Sequence, residues 1–185
     1  YLLEFATEPT IHLYSWFPKS VTYGALVKLE EWIDVDQGLA RGFHFGKRPT
    51  GGGILFHDYD LAFSLFIPKG SKLFNLEAKK NYAWVNGAIA DVINHFLEKR
   101  HSATLLHQPL EHPKKVCRFC MAGPTHYDVL LEGKKTVGAA QRLTKKGFLH
   151  QGAICLLPPD EEELAPLFLG GRIVLESMMK YTKPL

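Results

Sequence analysis

The sequence predicts an α+β fold in which a mixed, largely antiparallel sheet is flanked by helices. Three observations carry this. Runs rich in β-branched and aromatic residues are grouped before and after one long amphipathic stretch, without regular βαβ alternation. That stretch sustains an apolar period of three and four residues from Tyr82 to Phe96. The 185 residues hold no internal repeat, low-complexity tract or Pro/Ser-rich linker, so residues 1–185 read as a single domain.

Taken in order, Thr10 to Trp16, bounded by Pro9 and Pro18, reads as a strand. Phe43-His44-Phe45 and Ile54-Leu55-Phe56-His57 read as two more, flanking a glycine cluster, and Leu61 to Ile67 as another. Asn75 is the expected N-cap of a long helix in which Tyr82, Val85, Ile89, Val92 and Phe96 form one apolar stripe. That stripe is expected to face the core and is given no function. The helix is expected to stop near Lys99-Arg100-His101, because basic side chains suit the negative end of a helix dipole. Tyr127 to Leu131 and Lys135 to Arg142 read as strands joined at Glu132-Gly133, where glycine supplies the positive φ that a tight turn needs. Leu149 to Leu157 is a further strand. Pro158-Pro159 then leads into Asp160-Glu161-Glu162-Glu163, an acidic opening for a helix that Gly170-Gly171 ends or breaks.

The composition, 46% hydrophobic and 22% charged, is that of an ordinary folded chain. At this length folding removes roughly 70% of the unfolded surface from water, so no disulfide or metal is required as a staple. The richest apolar run, Leu61 to Pro68, is too short for a membrane span and contains Ser64, so no membrane association is expected. A formal net charge of +3 identifies no polyanionic partner, and no nucleic-acid binding is expected. The three cysteines, Cys117, Cys120 and Cys155, are too few and odd in number for a secreted disulfide framework, and no signal peptide opens the sequence; a cytoplasmic location is expected.

Three segments carry candidate chemistry. In Gly46-Lys47-Arg48-Pro49-Thr50-Gly51-Gly52-Gly53 the adjacent glycines let backbone N–H groups approach a carboxylate, phosphate or acyl carbonyl, while Arg48 supplies fixed positive charge. A tight hairpin turn would use the same glycines, and the segment is neither a P-loop nor a GxGxxG motif. Cys117-Arg118-Phe119-Cys120 is a lone CxxC; even with His107, His112 and His126 nearby, no second CxxC or HxxxH completes a zinc site, and no metal is expected. A cation such as Lys135 beside a cysteine would stabilise its thiolate. In Lys135-Thr136-Val137-Gly138-Ala139-Ala140-Gln141 the small residues leave room beside a strand for an extended ligand, and His150 and Gln151 before Gly152 can orient a polar group.

Together these segments resemble the biotin/lipoate protein ligase and octanoyltransferase superfamily. The likeness lies in Lys47 to Gly53 with His57-Asp58 downstream, in Glu132 to Arg142, and in Leu149-His150-Gln151-Gly152-Ala153-Ile154; with Thr10 to Trp16 and Tyr1-Leu2-Leu3 it covers most of the chain. It implies a biotin/lipoate ligase catalytic-domain fold with a narrow tunnel for an octanoyl or lipoyl chain. It further implies delivery to a lysine of a lipoyl domain or of a glycine-cleavage H protein. The opening Tyr1-Leu2-Leu3 looks like the end of the family's first helix, so the N-terminal part of that helix is expected to be missing. With the sequence ending at Leu185, the extra C-terminal domain of many lipoate ligases is not expected.

Two chemistries occur in that superfamily. Lipoate-protein ligases use ATP and Mg²⁺ to form an acyl-adenylate, with the lysine equivalent to Lys135 and the glycine loop around the activated carboxyl. Cysteine-type octanoyltransferases hold the acyl group as a thioester, take it from a donor such as an acyl carrier protein, and require no cofactor. Cys120 to Asp128 looks like the transferase nucleophile segment, and His57 to Ser64 is similar to the transferase spacing. The resemblance therefore assigns Cys120 and Lys135 as catalytic. Arg48, Thr50, Gly51, Gly52, Gly53, His57, Gly138, Ala140, Gln141, His150 and Gly152 become acyl- or nucleotide-binding. An ATP-dependent lipoate-protein ligase and a silent acyl- or carrier-binding module are the alternatives. This chain departs from the family in three places: His150-Gln151-Gly152-Ala153 stands for the usual Gln-His-Gly-Ser, Gly138-Ala139-Ala140 for Gly-Ser-Ala, and Lys47 for an arginine.

Overall fold

The structure, a computed structural model, describes residues 2–58, 60–98, 102–108 and 116–185. A short helix α1 (Leu2–Phe5) leads into strand β1 (Thr10–Tyr14), followed by β2 (Ser20–Tyr23), helix α2 (Val35–Ala40) and β3 (His44–Lys47). Strands β4 (Ile54–His57) and β5 (Asp60–Pro68) precede the long helix α3 (Ala78–Phe96). After it come β6 (Ala103–Leu105), β7 (Val129–Leu131), β8 (Lys134–Leu143) and β9 (Gly147–Cys155), then α4 (Glu161–Leu164) and α5 (Ile173–Tyr181).

Among the described residues the strands form two sheets, of order β1-β5-β9-β8-β7-β6 and β3-β2-β4. Every neighbouring pair of the larger sheet is antiparallel. In the smaller sheet β2 pairs with β3 in parallel and with β4 antiparallel. The expected fold class, mixed and largely antiparallel, is thus what forms. At the β7–β8 turn both Glu132 (φ 51°) and Gly133 (φ 77°) are left-handed, the pairing that matches the twist of a two-residue hairpin.

One face of the large sheet packs on α3 through Phe63, Ala90, Ile93, Val129 and Val137. The small sheet, α4, α5 and the segment from Val116 to Ala122 share a second core built around Val21, Phe43, Ile54, Leu167 and Leu175. No described helix is long and apolar enough to cross a membrane.

Several local expectations are corrected. Strands β3 and β4 do not form a hairpin around the glycine cluster, because β2 lies between them. Residues 48–53 therefore cross over one end of the small sheet rather than turning back on a neighbour. The long helix starts at Ala78, with Glu77 and not Asn75 at its cap position. The backbone of Asn75 is held by Asn81 instead: its N–H donates to Asn81 Oδ1 (2.9 Å) and its carbonyl accepts from Asn81 Nδ2 (2.6 Å). The apolar stripe also sits differently. Val85 is buried, but Val92 and Phe96 are 66% and 71% exposed, and Asn86, Ala90 and Ile93 face inward in their place. Polar contacts set this rotation: Asn86 Nδ2 donates to Tyr127 O (2.8 Å), and Asn94 Nδ2 and Oδ1 pair with the carbonyl and N–H of Ala103. The helix ends at Phe96, and the expected stop at Lys99-Arg100-His101 falls outside the described residues.

The acidic helix is only four residues, capped by Asp160 Oδ1 accepting from the Glu163 N–H at 3.0 Å, and a 3-10 turn over Ala165–Leu167 follows. Pro166 has no N–H to continue the α pattern. Gly170-Gly171 then precedes α5, a helix that no sequence signal singled out. The stretch after α5 is stitched under β8: Thr182 Oγ1 donates to Met121 O, and Thr136 Oγ1 donates to Lys183 O, each at 2.8 Å. These bonds seat the cysteine segment beside β8.

Candidate active site

The glycine cluster and Cys120 are joined by a short backbone ladder. The Ile54 N–H donates to Arg118 O (2.6 Å) and the Cys120 N–H donates to Ile54 O (2.9 Å). Only glycine fits at position 53, since a Cβ there would lie 2.1 Å from Arg118 O. Gly52, at φ +83°, brings its backbone against the thiol; a Cβ on it would stand 3.8 Å from Cys120 Sγ and 3.0 Å from Ala140 Cβ.

Hydrogen bonding gives this loop a direction. Its carbonyls are engaged in turn: Pro49 O by Arg142 Nη1 (3.1 Å), Thr50 O by the Ala25 N–H (3.0 Å), and Gly53 O by Arg48 Nη2 (2.7 Å). Gly51 O receives a longer bond from the same Arg48 nitrogen, at 3.4 Å. Among the described residues, the amides of Gly51, Gly52 and Gly53 have no hydrogen-bond partner. A run of free N–H groups beside a thiol is a donor cradle for a developing negative oxygen. Arg48 is held to the loop carbonyls and to Thr22 Oγ1 (2.6 Å), so it braces the loop as well as lining the hollow.

Lys135 reaches the same place through an irregularity in the sheet. The β7–β8 register runs Val129↔Val137 and then Leu130↔Lys135, passing over Thr136. Val129 and Leu130 point to opposite faces of the sheet, so Lys135 and Val137 do too, and the bulge turns Lys135 onto the face of Gly138 and Ala140. Lys135 Cε and Cys120 Cβ lie 3.5 and 3.8 Å from the position a Gly138 Cβ would take. The lysine is 3% exposed and its Nζ pairs with buried Asp128 Oδ2 at 2.7 Å. Asp128 also accepts from the Thr125 N–H (2.6 Å) and Oγ1 (2.9 Å) and from the Tyr82 hydroxyl (3.3 Å). Burial first, and the Asp128 charge next, push the Tyr82 phenol upward, so it stays a neutral donor, bonding also to Ala139 O at 3.0 Å.

Beside Cys120 opens a cavity of about 180 Å³ whose wall includes Tyr14, Trp16, His57, Gly138, Ala140 and Gln151. A polar chain crosses it: buried Thr50 donates to Gln151 Oε1 (3.2 Å), Gln151 Nε2 donates to Ser64 Oγ (3.1 Å), and the Tyr14 hydroxyl is 3.2 Å from that same oxygen. Gly152 is in the wall as well, yet its missing Cβ serves packing, because one would meet Phe63 Cζ at 2.5 Å and Gly138 O at 2.7 Å.

The structure thus brings together Cys120, Lys135, Arg48, Thr50, Gly51, Gly52, Gly53, His57, Gly138, Ala140 and Gly152. Two expected residues lie elsewhere. His150 points to the α3 side, stacked on Phe63 and 3.1 Å from Asn86 Oδ1, and Gln141 reaches Ala78 O on that same side. Alternation along β9 places Gln151, not His150, on the cavity. Sequence reasoning missed Thr22, Asp60, Tyr82 and the pairing role of Asp128. The last had a signal, an acid just before a strand paired with a lysine strand; Asp60 lies three residues after His57 and bonds its ring, while Thr22 and Tyr82 are brought in from distant segments. Among the described residues no group of three His, Cys, Asp or Glu could hold a metal, and His112 lies outside them.

His150 makes a separate prediction. It is fully buried, and burial pushes its imidazole down to about 3 from 6.5. Between those values the unfolded chain binds a proton that the folded chain does not. Stability therefore falls as pH drops from about 6.5 towards 3, by up to about 1.4 kcal/mol per unit from this group. Urea midpoints at pH 7 and pH 4.5 should differ more for the native chain than for His150→Gln; equal differences would contradict this.

The chain resembles known proteins in sequence and in fold. Residues 1–168 match the family model described as the lipoyl protein ligase A/B catalytic domain. The chain is similar to octanoyltransferase LipM of Macrococcus caseolyticus (strain JCSC5402), 30% identical over 177 residues, which is 95% of this chain and 64% of that protein. It is 27% identical to octanoyltransferase LipM of Staphylococcus aureus (strain NCTC 8325 / PS 47), over 94% of this chain and 63% of that one. The chain thus spans less than two thirds of the length of these relatives. A solved lipoate-protein ligase A bound with ATP superposes with a TM-score of 0.71 at 22% identity, covering 97% of this chain and 64% of the other. The bipartite lipoate protein ligase of Thermoplasma acidophilum, studied with its E2 lipoyl domain, gives 0.70 at 20% identity over 97% and 63%. At such identities these structures speak for the fold.

Proposed function

From the premise that the chain belongs to the lipoyl protein ligase A/B catalytic-domain family, we propose that residues 1–185 act as one acyltransferase domain for protein lipoylation. It would move an octanoyl or lipoyl group to the lysine of a lipoyl domain or glycine-cleavage H protein, through a thioester on Cys120. An acyl carrier protein is the proposed donor. The observation that carries this reading is Cys120 seated between a buried lysine and a glycine loop whose carbonyls are engaged and whose amides are free.

The Cys120 thiolate attacks the carbonyl of the donor thioester. The resulting oxyanion is held by the Gly51–Gly53 amides and the Lys135 ammonium, which keeps donors free beyond its bond to Asp128. Collapse breaks the donor C–S bond, and the departing thiolate takes a proton. The acceptor amine then attacks acyl-Cys120, loses a proton and forms the amide, returning the Cys120 thiolate. Thioester exchange conserves the acyl bond energy and draws on no nucleotide. The three unpaired cysteines suit a reducing cytoplasm.

One assay separates the readings. A purified lipoyl domain is given either an octanoyl carrier thioester, or lipoate with ATP and Mg²⁺, and its mass gain is measured. Product from the thioester alone is expected. Product only with ATP would make the chain a ligase, and ligand binding without product in either arm would make it a binding module.

A further inference from the structure

Four side chains, three of them in the cavity wall, form a single line of hydrogen bonds. Arg48 Nη1 donates to Thr22 Oγ1 (2.6 Å), Thr22 Oγ1 lies 2.7 Å from His57 Nε2, and His57 Nδ1 lies 2.6 Å from Asp60 Oδ2. Thr22 and His57 are 1% and 3% exposed, so no link can be exchanged freely for water. The indole of Trp16 stacks on the imidazole at 4.9 Å and fixes the ring plane.

The ends of this line dictate its polarity. Arg48 can only donate, and a carboxylate only accepts. With Arg48 donating to Thr22, the one threonine proton is left for His57 Nε2, which must present its lone pair. His57 then carries its hydrogen on Nδ1 and donates it to Asp60. A hydrogen on Nε2 would leave Thr22 Oγ1 facing two donors, with its own proton directed nowhere in the line. The line is fully satisfied in this one arrangement of hydrogens, set by the donor at one end and the acceptor at the other.

The far end of the line is the glycine loop. The second guanidinium nitrogen of Arg48 holds Gly53 O and Gly51 O, the carbonyls whose engagement leaves the loop amides available. We propose that Asp60, His57 and Thr22 are a positioning relay: they fix Arg48, and through it the amide-presenting conformation of the glycine loop, without touching the reacting atoms. This rests on the acyl-transfer reading, in which those amides hold the oxyanion. It gives His57, known from the sequence only as a binding candidate, an indirect role. Asp60→Asn becomes a reversing substitution, since the amide NH₂ can donate to Nδ1 and drive the hydrogen to Nε2.

The test uses the whole chain. Nitrogen-15 NMR near neutral pH is expected to find His57 protonated on Nδ1 only, and in Asp60→Asn to find the hydrogen moved to Nε2. Transfer from octanoyl thioester should fall about tenfold or more in kcat for Asp60→Asn and Thr22→Val, with KM for the donor changed less than about twofold. Thr22→Ser, which keeps the hydroxyl, should stay within about twofold of the native rate. A native His57 carrying hydrogen on Nε2, or a folded Thr22→Val with native kcat, would overturn the relay. Should Thr22→Val fail to fold, Asp60→Asn at native kcat with a shifted tautomer overturns it equally. If the native chain forms no acyl-Cys120, the transfer reading fails by itself. The relay is then judged by hydrogen exchange of the Ala25 amide, which donates to Thr50 O of the loop. Faster exchange in Asp60→Asn supports it, and unchanged exchange overturns it.

Discussion

Cys120→Ala is expected to remove acyl transfer by roughly three orders of magnitude or more, because the proposed thioester intermediate forms on that thiol. Intact-protein mass spectrometry after mixing with octanoyl thioester should show one octanoyl adduct on the native chain, mapped to the Cys120 peptide, and none on the variant. Cys120→Ser should fall nearly as far, since neither His57 nor His150 is placed to take the hydroxyl proton: His57 is engaged at both nitrogens, and His150 faces α3. The remaining cysteines make good controls. Cys117 is exposed, and burial, with a contribution from Asp60, pushes the Cys155 thiol up to about 12. Replacing either by serine should leave the rate within about twofold. Transfer surviving in Cys120→Ala, or an adduct mapped to Cys117, would end the proposed mechanism.

Lys135→Met should be damaging in two separable ways. It strands the Asp128 carboxylate, 1% exposed at its side chain, without its cation, and breaking a buried pair from one side costs about 3–5 kcal/mol. It also removes an oxyanion donor, a loss of about 10²–10³ in kcat. Adding Asp128→Asn to Lys135→Met removes the orphaned charge and should restore most of the urea midpoint while leaving transfer depressed. A double variant that regains activity along with stability would show that Lys135 serves the fold alone. One that regains neither would show that the Thr125 and Tyr82 bonds to Asp128, not its charge, organise this corner.

Much of the architecture is legible locally. The strand at Thr10, the Ile54–His57 strand, the turn at Glu132-Gly133 and the long helix all follow from β-branched content, glycine and apolar period. The errors share a cause. Asn75 looks like a cap until Asn81 captures its backbone. Val92 and Phe96 look like core until Asn86 and Asn94 turn the helix towards Tyr127 and Ala103. Strand β2, four residues long, escapes notice because its inward pattern is nearly continuous rather than alternating, and without it the glycine cluster reads as well as a hairpin turn as it does as a ligand loop.

The same division holds at the site. By itself the sequence determined which chemical groups are available: a cysteine, a lysine on a strand of small residues, and a loop of three glycines with an arginine before it. The tertiary structure alone decided how they face one another. Passing over Thr136 in the β7–β8 register carries Lys135 to the side of Cys120, and alternation along β9 sends Gln151 to the cavity and His150 away from it. Arg48, which the sequence offers as a fixed positive charge for an anion, is bound into the glycine loop and the Thr22–His57–Asp60 line. The physical reason is that residue type and local propensity depend on near neighbours. The face a side chain occupies, and the direction of a hydrogen bond, are set by strand register and by partners tens of residues away.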